Sequence, residues 1–103
     1  MQYQLVLKFR KASLASPDDI QALELALAAP LSGTARLDGH DIGKGDINLF
    51  ILTPDPASTF RRTKPALEGL QLLDRVTAAY RLEGGSRFTV LWPLGYGRKF
   101  KLS

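Results

Sequence analysis

Alternation of apolar and polar side chains at the N-terminus constrains the fold more than any other feature of the chain. The apolar positions of this segment are Tyr3, Leu5, Leu7 and Phe9. Since successive side chains of a β-strand point to opposite faces, this period of two predicts a strand with one buried face. Residues 47–52 are apolar at every position except Asn48, which predicts a central strand covered on both faces.

Two amphipathic helices are predicted between the strands. The first begins at Ser16, because serine caps a helix N-terminus and Pro17 suits the first helical position. Its apolar stripe consists of Ile20, Leu23, Leu27 and Leu31. The stretch 28–33, which contains proline and glycine, is predicted to end it. Asp55, followed by another proline, predicts the start of the second helix, and Pro65 is predicted to kink or split that helix because proline lacks a backbone donor.

Three further strands are predicted from weaker patterns. Residues 34–42 predict a strand that joins the next one through a tight turn, in which Gly43 and Gly45 are expected at positive φ. Residues 76–82 and 87–92 are rich in strand-forming side chains and flank a glycine-containing turn, so a hairpin is preferred there. A helix is the alternative, because Leu70, Leu73 and Val76 are three residues apart. The resulting order of elements is β-α-β-β-α-β-β.

This order predicts the fold class. Its first six elements match the β-α-β-β-α-β order of the ferredoxin-like fold, an α+β arrangement with two helices on one face of an antiparallel sheet, and the last strand is an extra C-terminal one. A chain of 103 residues suits a single domain over residues 1–103. A basic tail from about residue 94 is expected to fray or to lie against an edge of the sheet.

Composition limits the classes of function. The chain has no cysteine, which excludes disulfides, thiolate catalysis, zinc fingers and iron–sulfur clusters. No apolar run approaches the ~20 residues of a membrane helix. We therefore expect a soluble protein without a cofactor, most simply in the bacterial cytoplasm. Residues 41–103 carry ten basic and six acidic side chains, a mild bias that favours anionic partners.

The only histidine, His40, lies in the glycine-rich stretch 39–50, for which we considered three interpretations. A Walker-type phosphate loop is excluded, because only three residues separate Gly39 from Gly43 and a strand pattern follows. An acid–base pair is the second interpretation, since Asp38 and His40 would share one face of a strand and a nearby carboxylate tunes a histidine as a general base. The third, a hairpin connection with aspartates as turn formers, accounts for every residue and is preferred. No metal-ligand spacing is present.

The same region resembles a known pattern. The run D-G-H-D-x-G-x-G-x-x-N-x-F-I-x-T-x-D-P extends from Asp38 to Pro56, with Phe60 in the helix that follows. It is similar to a run in a family of small bacterial proteins for which no activity is established, and AYRLEGGSRFTVLWP at residues 79–93 fits that resemblance. The resemblance covers about half the chain. It implies a ferredoxin-like fold and a site that includes Asp38, His40 and Asn48.

The sheet face away from the helices is the predicted binding surface. Val6, Phe50 and Leu52 are predicted to point there and to form an apolar patch, which needs a cover. Asn48 and Trp92 complete the predicted set. A second copy, another protein, a small ligand or the chain's own tail could supply the cover. We predict a non-enzymatic binding or regulatory module that acts through this face, as a homodimer or with a protein partner.

Two alternative functions stay open. The first is weak nucleic-acid binding, in which aromatic side chains stack on bases and cations contact phosphates. The residues predicted for it are Tyr96, Arg98, Lys99 and Lys101, with Trp92 and Phe100 as further aromatic side chains for stacking. The second is a small enzyme that uses Asp38 and His40 as its acid–base pair. Neither alternative involves a metal or a membrane.

Overall fold

The computed structural model of the protein describes residues 1–14 and 16–102. Its main elements are β1 (Tyr3–Arg10), α1 (Pro17–Leu31), β2 (Arg36–Ile42), β3 (Asp46–Thr53), α2 (Pro56–Gly69), β4 (Val76–Leu82) and β5 (Thr89–Trp92). Short 3-10 turns at Lys11–Ser13 and Leu73–Arg75 follow β1 and precede β4. Over the described residues, no helix combines the length and the apolar character that crossing a bilayer requires.

The five strands form one antiparallel sheet in the order β2-β3-β1-β4-β5. β1 pairs along its whole length with β3, from Tyr3 opposite Thr53 to Arg10 opposite Asp46. Its other edge pairs with β4. The first four strands and the two helices have the ferredoxin-like arrangement, and β5 extends the sheet beside β4. The predicted fold class, including the extra C-terminal strand, is therefore confirmed.

Both helices pack on the face of the sheet to which the apolar positions of β1 point. Leu5, Leu7 and Phe9 are buried there. The helices contribute Ile20, Leu23, Leu27 and Leu31 from α1, with Phe60 and Leu67 from α2. Of the inward-facing set that the period of two predicts in β1, Leu5, Leu7 and Phe9 are confirmed in this core, whereas Tyr3 is only half-buried; the other face of β1 is also buried, at Val6.

The helix starts follow the predicted capping chemistry. Ser16 Oγ accepts the Asp19 backbone N–H, and the Asp19 carboxylate accepts the Ser16 N–H, which together form a capping box. Asp55 caps α2 by accepting the Ser58 N–H at 3.1 Å. Of the two effects predicted for Pro65, a kink or a split of the second helix, the split does not occur, since α2 is one helix of 14 residues. Pro65 lies on its exposed side, where the carbonyl without a partner can bind water.

The hairpin of β2 and β3 differs from the prediction, because β2 contains a bulge. β2 pairs with β3 at Leu37 and again at His40, with a shift of register between the two. Asp38 and Gly39 therefore occupy the space of a single residue on the partner strand. Gly39 has a φ of +103°, which glycine adopts more easily than any other residue. The prediction of positive φ for the glycines of the turn at 43–45 is wrong, because the left-handed residue of this hairpin is Gly39.

Candidate functional site

A second apolar cluster, here called the sheet-face cluster, lies on the side of the sheet opposite the helices. It consists of buried Val6, Ala79 and Phe100 and partly buried Phe50, Phe88, Val90 and Leu102. The rings of Phe88 and Phe100 have centroids 4.8 Å apart. Phe100 and Leu102 belong to residues 98–102, here called the C-terminal segment. The chain itself thus covers the face, and this segment lies on the face rather than against an edge.

Side chains of two central strands hold the C-terminal segment. Asn48 Nδ2 donates to the Leu102 carbonyl at 2.5 Å, and Lys8 Nζ donates to the Lys101 carbonyl at 2.5 Å. Among residues 1–14 and 16–102, no backbone–backbone hydrogen bond joins the segment to the sheet. The sheet therefore holds the segment as it would hold a bound peptide, through two apolar side chains and two carbonyl groups.

Asn48 is a polar side chain buried beneath this segment. It is 1% exposed, and its Oδ1 has no hydrogen-bond partner among the described residues. Leaving such an oxygen unpaired costs about 1–3 kcal/mol. A carboxamide can donate to a backbone carbonyl and accept from a backbone N–H at the same time. The docked segment supplies only the carbonyl, so the acceptor oxygen of Asn48 is unused among the described residues.

Leu52 and Trp92, which the sequence also predicts in the binding set, lie outside the sheet-face cluster. Leu52 is buried in β3 but is not a member of that cluster. Trp92 packs against the core under the helices and donates its Nε1–H to the Leu73 carbonyl at 2.9 Å. Lys64 Nζ lies 4.5 Å from the centroid of its ring. The sheet therefore separates Trp92 from the other predicted binding residues.

His40 contacts α1 and not Asp38. Its Nδ1 lies 3.2 Å from a carboxylate oxygen of Glu24. The extra residue in β2 breaks the period of two, so spacing alone no longer places Asp38 and His40 on one face. In the described part of the chain, no group of three or more histidine or acidic side chains is placed to hold a metal ion.

The residues predicted for nucleic-acid binding have two different environments. Tyr96 and Arg98 line a cleft at one end of the sheet, with the guanidinium of Arg98 5.7 Å from the centroid of the Tyr96 ring. Lys99 and Lys101 are exposed. Phe100 is only 6% exposed, so it is not free to stack on a base while the C-terminal segment is docked.

Sequence reasoning missed the anchoring role of Phe100 and Leu102, although a signal was present. The two apolar residues alternate with Lys99 and Lys101, which is the pattern of a segment with one buried side. It also missed Phe88, which follows the turn after β4. The alternation at residues 99–102 is too short to distinguish a docked segment from a frayed one.

Comparison with known proteins finds no relative. No protein-family model matches the chain, and no curated protein or solved structure matches it. The resemblance of residues 38–56 to small bacterial proteins stays a prediction. Arguments about function therefore depend on the geometry of the chain alone.

Proposed function

We propose that the protein is a non-enzymatic binding module whose sheet face recognises a segment of a partner protein, with its own C-terminal segment as a competing internal ligand. The observation that carries this proposal is the way the segment is held. Phe100 and Leu102 are anchored two residues apart, the carbonyls of Lys101 and Leu102 accept side-chain hydrogen bonds, and backbone pairing makes no contribution among the described residues.

Two features make the internal segment a poor match for its site. The first is Oδ1 of Asn48, which has no hydrogen-bond partner among the described residues and which a backbone N–H of the partner would satisfy. The second is charge. Arg81, for which no ion pair is present among the described residues, lies 4.7 Å from the centroid of the Phe88 ring, whereas Asp46 at 3.4 Å balances the charge of Lys8. The segment brings two more cations, Lys99 and Lys101, to a surface that already carries cations.

These features specify the chemistry of the partner. Like charges placed together disfavour binding, and opposite charges favour the correct partner. The preferred segment therefore has an aromatic residue and an aliphatic residue two positions apart, with acidic residues between and before them. The same segment of a second copy would fit the apolar sites but repeat the mismatch of charge, so a homodimer is the weaker form of this proposal. A cytoplasmic location stays a prediction.

Peptide binding to the full chain tests the proposal. We expect a labelled acidic peptide, DEFEL, to bind more tightly than the basic peptide RKFKL, which has the sequence of residues 98–102. Phe100→Ala should tighten binding of DEFEL, because it weakens a competitor whose effective concentration is in the millimolar range. Leu94→Ala is the matched control, since Leu94 is 84% exposed. Fluorescence anisotropy at two salt concentrations measures these affinities.

The surface itself is tested by Phe50→Lys, which introduces a charge into the sheet-face cluster and should abolish binding of both peptides. Light scattering at two protein concentrations checks for the homodimer. A mass near twice 11.3 kDa that Phe50→Lys reduces to the monomer would favour the second copy as partner. Equal affinity for DEFEL and RKFKL, or binding that Phe50→Lys leaves intact, would contradict the proposed recognition.

A further inference from the structure

A cleft at one end of the sheet is lined by residues from separate parts of the chain. It lies where β1 ends and where β3 and β4 begin, and residues after β5 form another of its walls. Its volume is about 680 Å³, within the roughly 300–1,000 Å³ typical of sites for small ligands. None of its lining residues belongs to the sheet-face cluster, but Arg98 of the C-terminal segment is one of them.

Positive charge dominates this cleft. Arg10, Arg75 and Arg98 line it, and among the described residues none of the three forms an ion pair with a carboxylate. Lys8 also lines the cleft, but Asp46 lies 3.4 Å from it and balances its charge. The concave shape concentrates the field of such charges and so raises the local concentration of anions.

Asp74 is the second carboxylate of the cleft, and it limits the class of ligand. Together with three arginines it leaves an excess of two positive charges. One carboxylate group on a ligand would use only part of this excess, whereas a ligand with several anionic oxygens would use all of it. The planar guanidinium group matches the oxygens of phosphate in a bidentate way.

We propose that this cleft binds a small molecule that carries two or more phosphate groups. Arg10 is the last residue of β1, and Arg75 is the last residue of the 3-10 turn before β4, so both belong to ordered elements. Arg98 is supplied by the C-terminal segment and lies over the ring of Tyr96, which restricts where its guanidinium can go. The site is therefore complete only when that segment is docked on the sheet.

Calorimetric titration of the full chain with pyrophosphate at low salt tests the proposal, with orthophosphate and a twelve-nucleotide single-stranded DNA as further probes. We expect pyrophosphate to bind and orthophosphate to bind at least tenfold more weakly. Arg10→Gln and Arg75→Gln should each weaken pyrophosphate binding by tenfold or more. Arg61→Gln removes the same charge from an exposed position on α2 and should leave the affinity within twofold.

Three outcomes would overturn the proposal. Equal losses for Arg61→Gln and Arg75→Gln would mean that diffuse surface charge, and not the cleft, attracts the anion. Binding of the oligonucleotide without binding of pyrophosphate would assign the basic residues to a nucleic-acid surface. Absence of any binding by the unmodified chain would remove the site. Because Arg10 and Arg75 are exposed, circular dichroism should show all variants folded, so a loss of binding is not a loss of structure.

Discussion

Replacement of Phe100 by alanine distinguishes a docked ligand from a part of the core. Phe100 is 6% exposed and Phe9 is 1% exposed, so burial alone predicts that both phenylalanine-to-alanine changes cost about 3–5 kcal/mol of unfolding free energy. If the C-terminal segment is an internal ligand, however, the Phe100 variant can release the segment and keep the rest of the fold. Its cost is then limited to the net free energy of docking.

The contacts that the segment makes indicate that its net free energy of docking is small. Burial of Phe100 contributes about 1.5–3 kcal/mol, its pairing with Phe88 about 0.5–1.5 kcal/mol, and the partly buried Leu102 about 1 kcal/mol. The two side-chain hydrogen bonds to the segment add about 2 kcal/mol together. Ordering the backbone of five residues opposes docking by about 5–10 kcal/mol. Gain and cost are therefore nearly equal.

Phe100→Ala removes about 2–4.5 kcal/mol from the favourable side, which shifts the docking equilibrium by a factor of about 30 to 2,000. We expect the backbone order parameters of residues 98–102 to fall below about 0.6, while those of β1 stay high. Urea denaturation should give a loss of unfolding free energy below about 1.5 kcal/mol for Phe100→Ala, because only the marginal docking term is lost. Phe9→Ala should lose about 3–5 kcal/mol in the same assay.

The reasoning is refuted if Phe100→Ala and Phe9→Ala destabilise the protein equally, since Phe100 would then belong to the cooperative core. It is also refuted if the order parameters of residues 98–102 do not change, because the contacts assigned to Phe100 would then not hold the segment. Leu94→Ala is the control for both measurements, since Leu94 is 84% exposed.

Three further predictions test the architecture by thermal or urea denaturation. Leu23→Ala should lower the free energy of unfolding by about 2–5 kcal/mol, whereas Leu25→Ala in the same helix should change it by less than about 0.5 kcal/mol, because Leu23 is 1% and Leu25 69% exposed. Equal effects would mean that α1 packs through another face. Gly39→Ala should lower the free energy of unfolding by about 1–2 kcal/mol, because φ at Gly39 is +103° although a Cβ would have open space there. Gly45→Ala should cost less, because Gly45 has the same space without a positive φ. The reverse order of the two losses would exclude the bulge. Asp55→Ala should cost about 0.5–2 kcal/mol through loss of the cap on Ser58 N–H, and an unchanged midpoint would show that this cap is dispensable.

The fold was predictable because the buried positions of a strand or a helix recur in the sequence with the period of that element. The alternation from Tyr3 to Phe9 and the stripe from Ile20 to Leu31 each follow the geometry of one element, so they identify a strand and a helix without knowledge of their neighbours. The bulge at Gly39 has no such periodic pattern in the sequence. A glycine in a strand pattern is compatible with a bulge, a bend or a turn, and only its pairing with β3 distinguishes them.

The two candidate sites were predictable to different degrees. Val6, Phe50 and Asn48 follow from strand alternation, since their strands are central and one face is already used by the helices. The cleft did not follow from any local pattern. Arg10 and Arg75 are brought to the same end of the sheet only because β1 and β4 pair in antiparallel register, which is a property of the topology and not of any short stretch of sequence.

Lys8 connects the two sites. Its Nζ donates to the Lys101 carbonyl and lies 5.5 Å from the centroid of the Phe100 ring, while the residue also lines the cleft. Arg98 completes the cleft only when the C-terminal segment is docked, so a bound anion should favour the docked state. Coupling between two sites is reciprocal: Phe100→Ala should weaken pyrophosphate binding, and pyrophosphate should weaken binding of DEFEL to the unmodified chain. If calorimetry gave the same pyrophosphate affinity with and without Phe100→Ala, the cleft would act independently of the segment, because release of Arg98 would then have no effect on the anion.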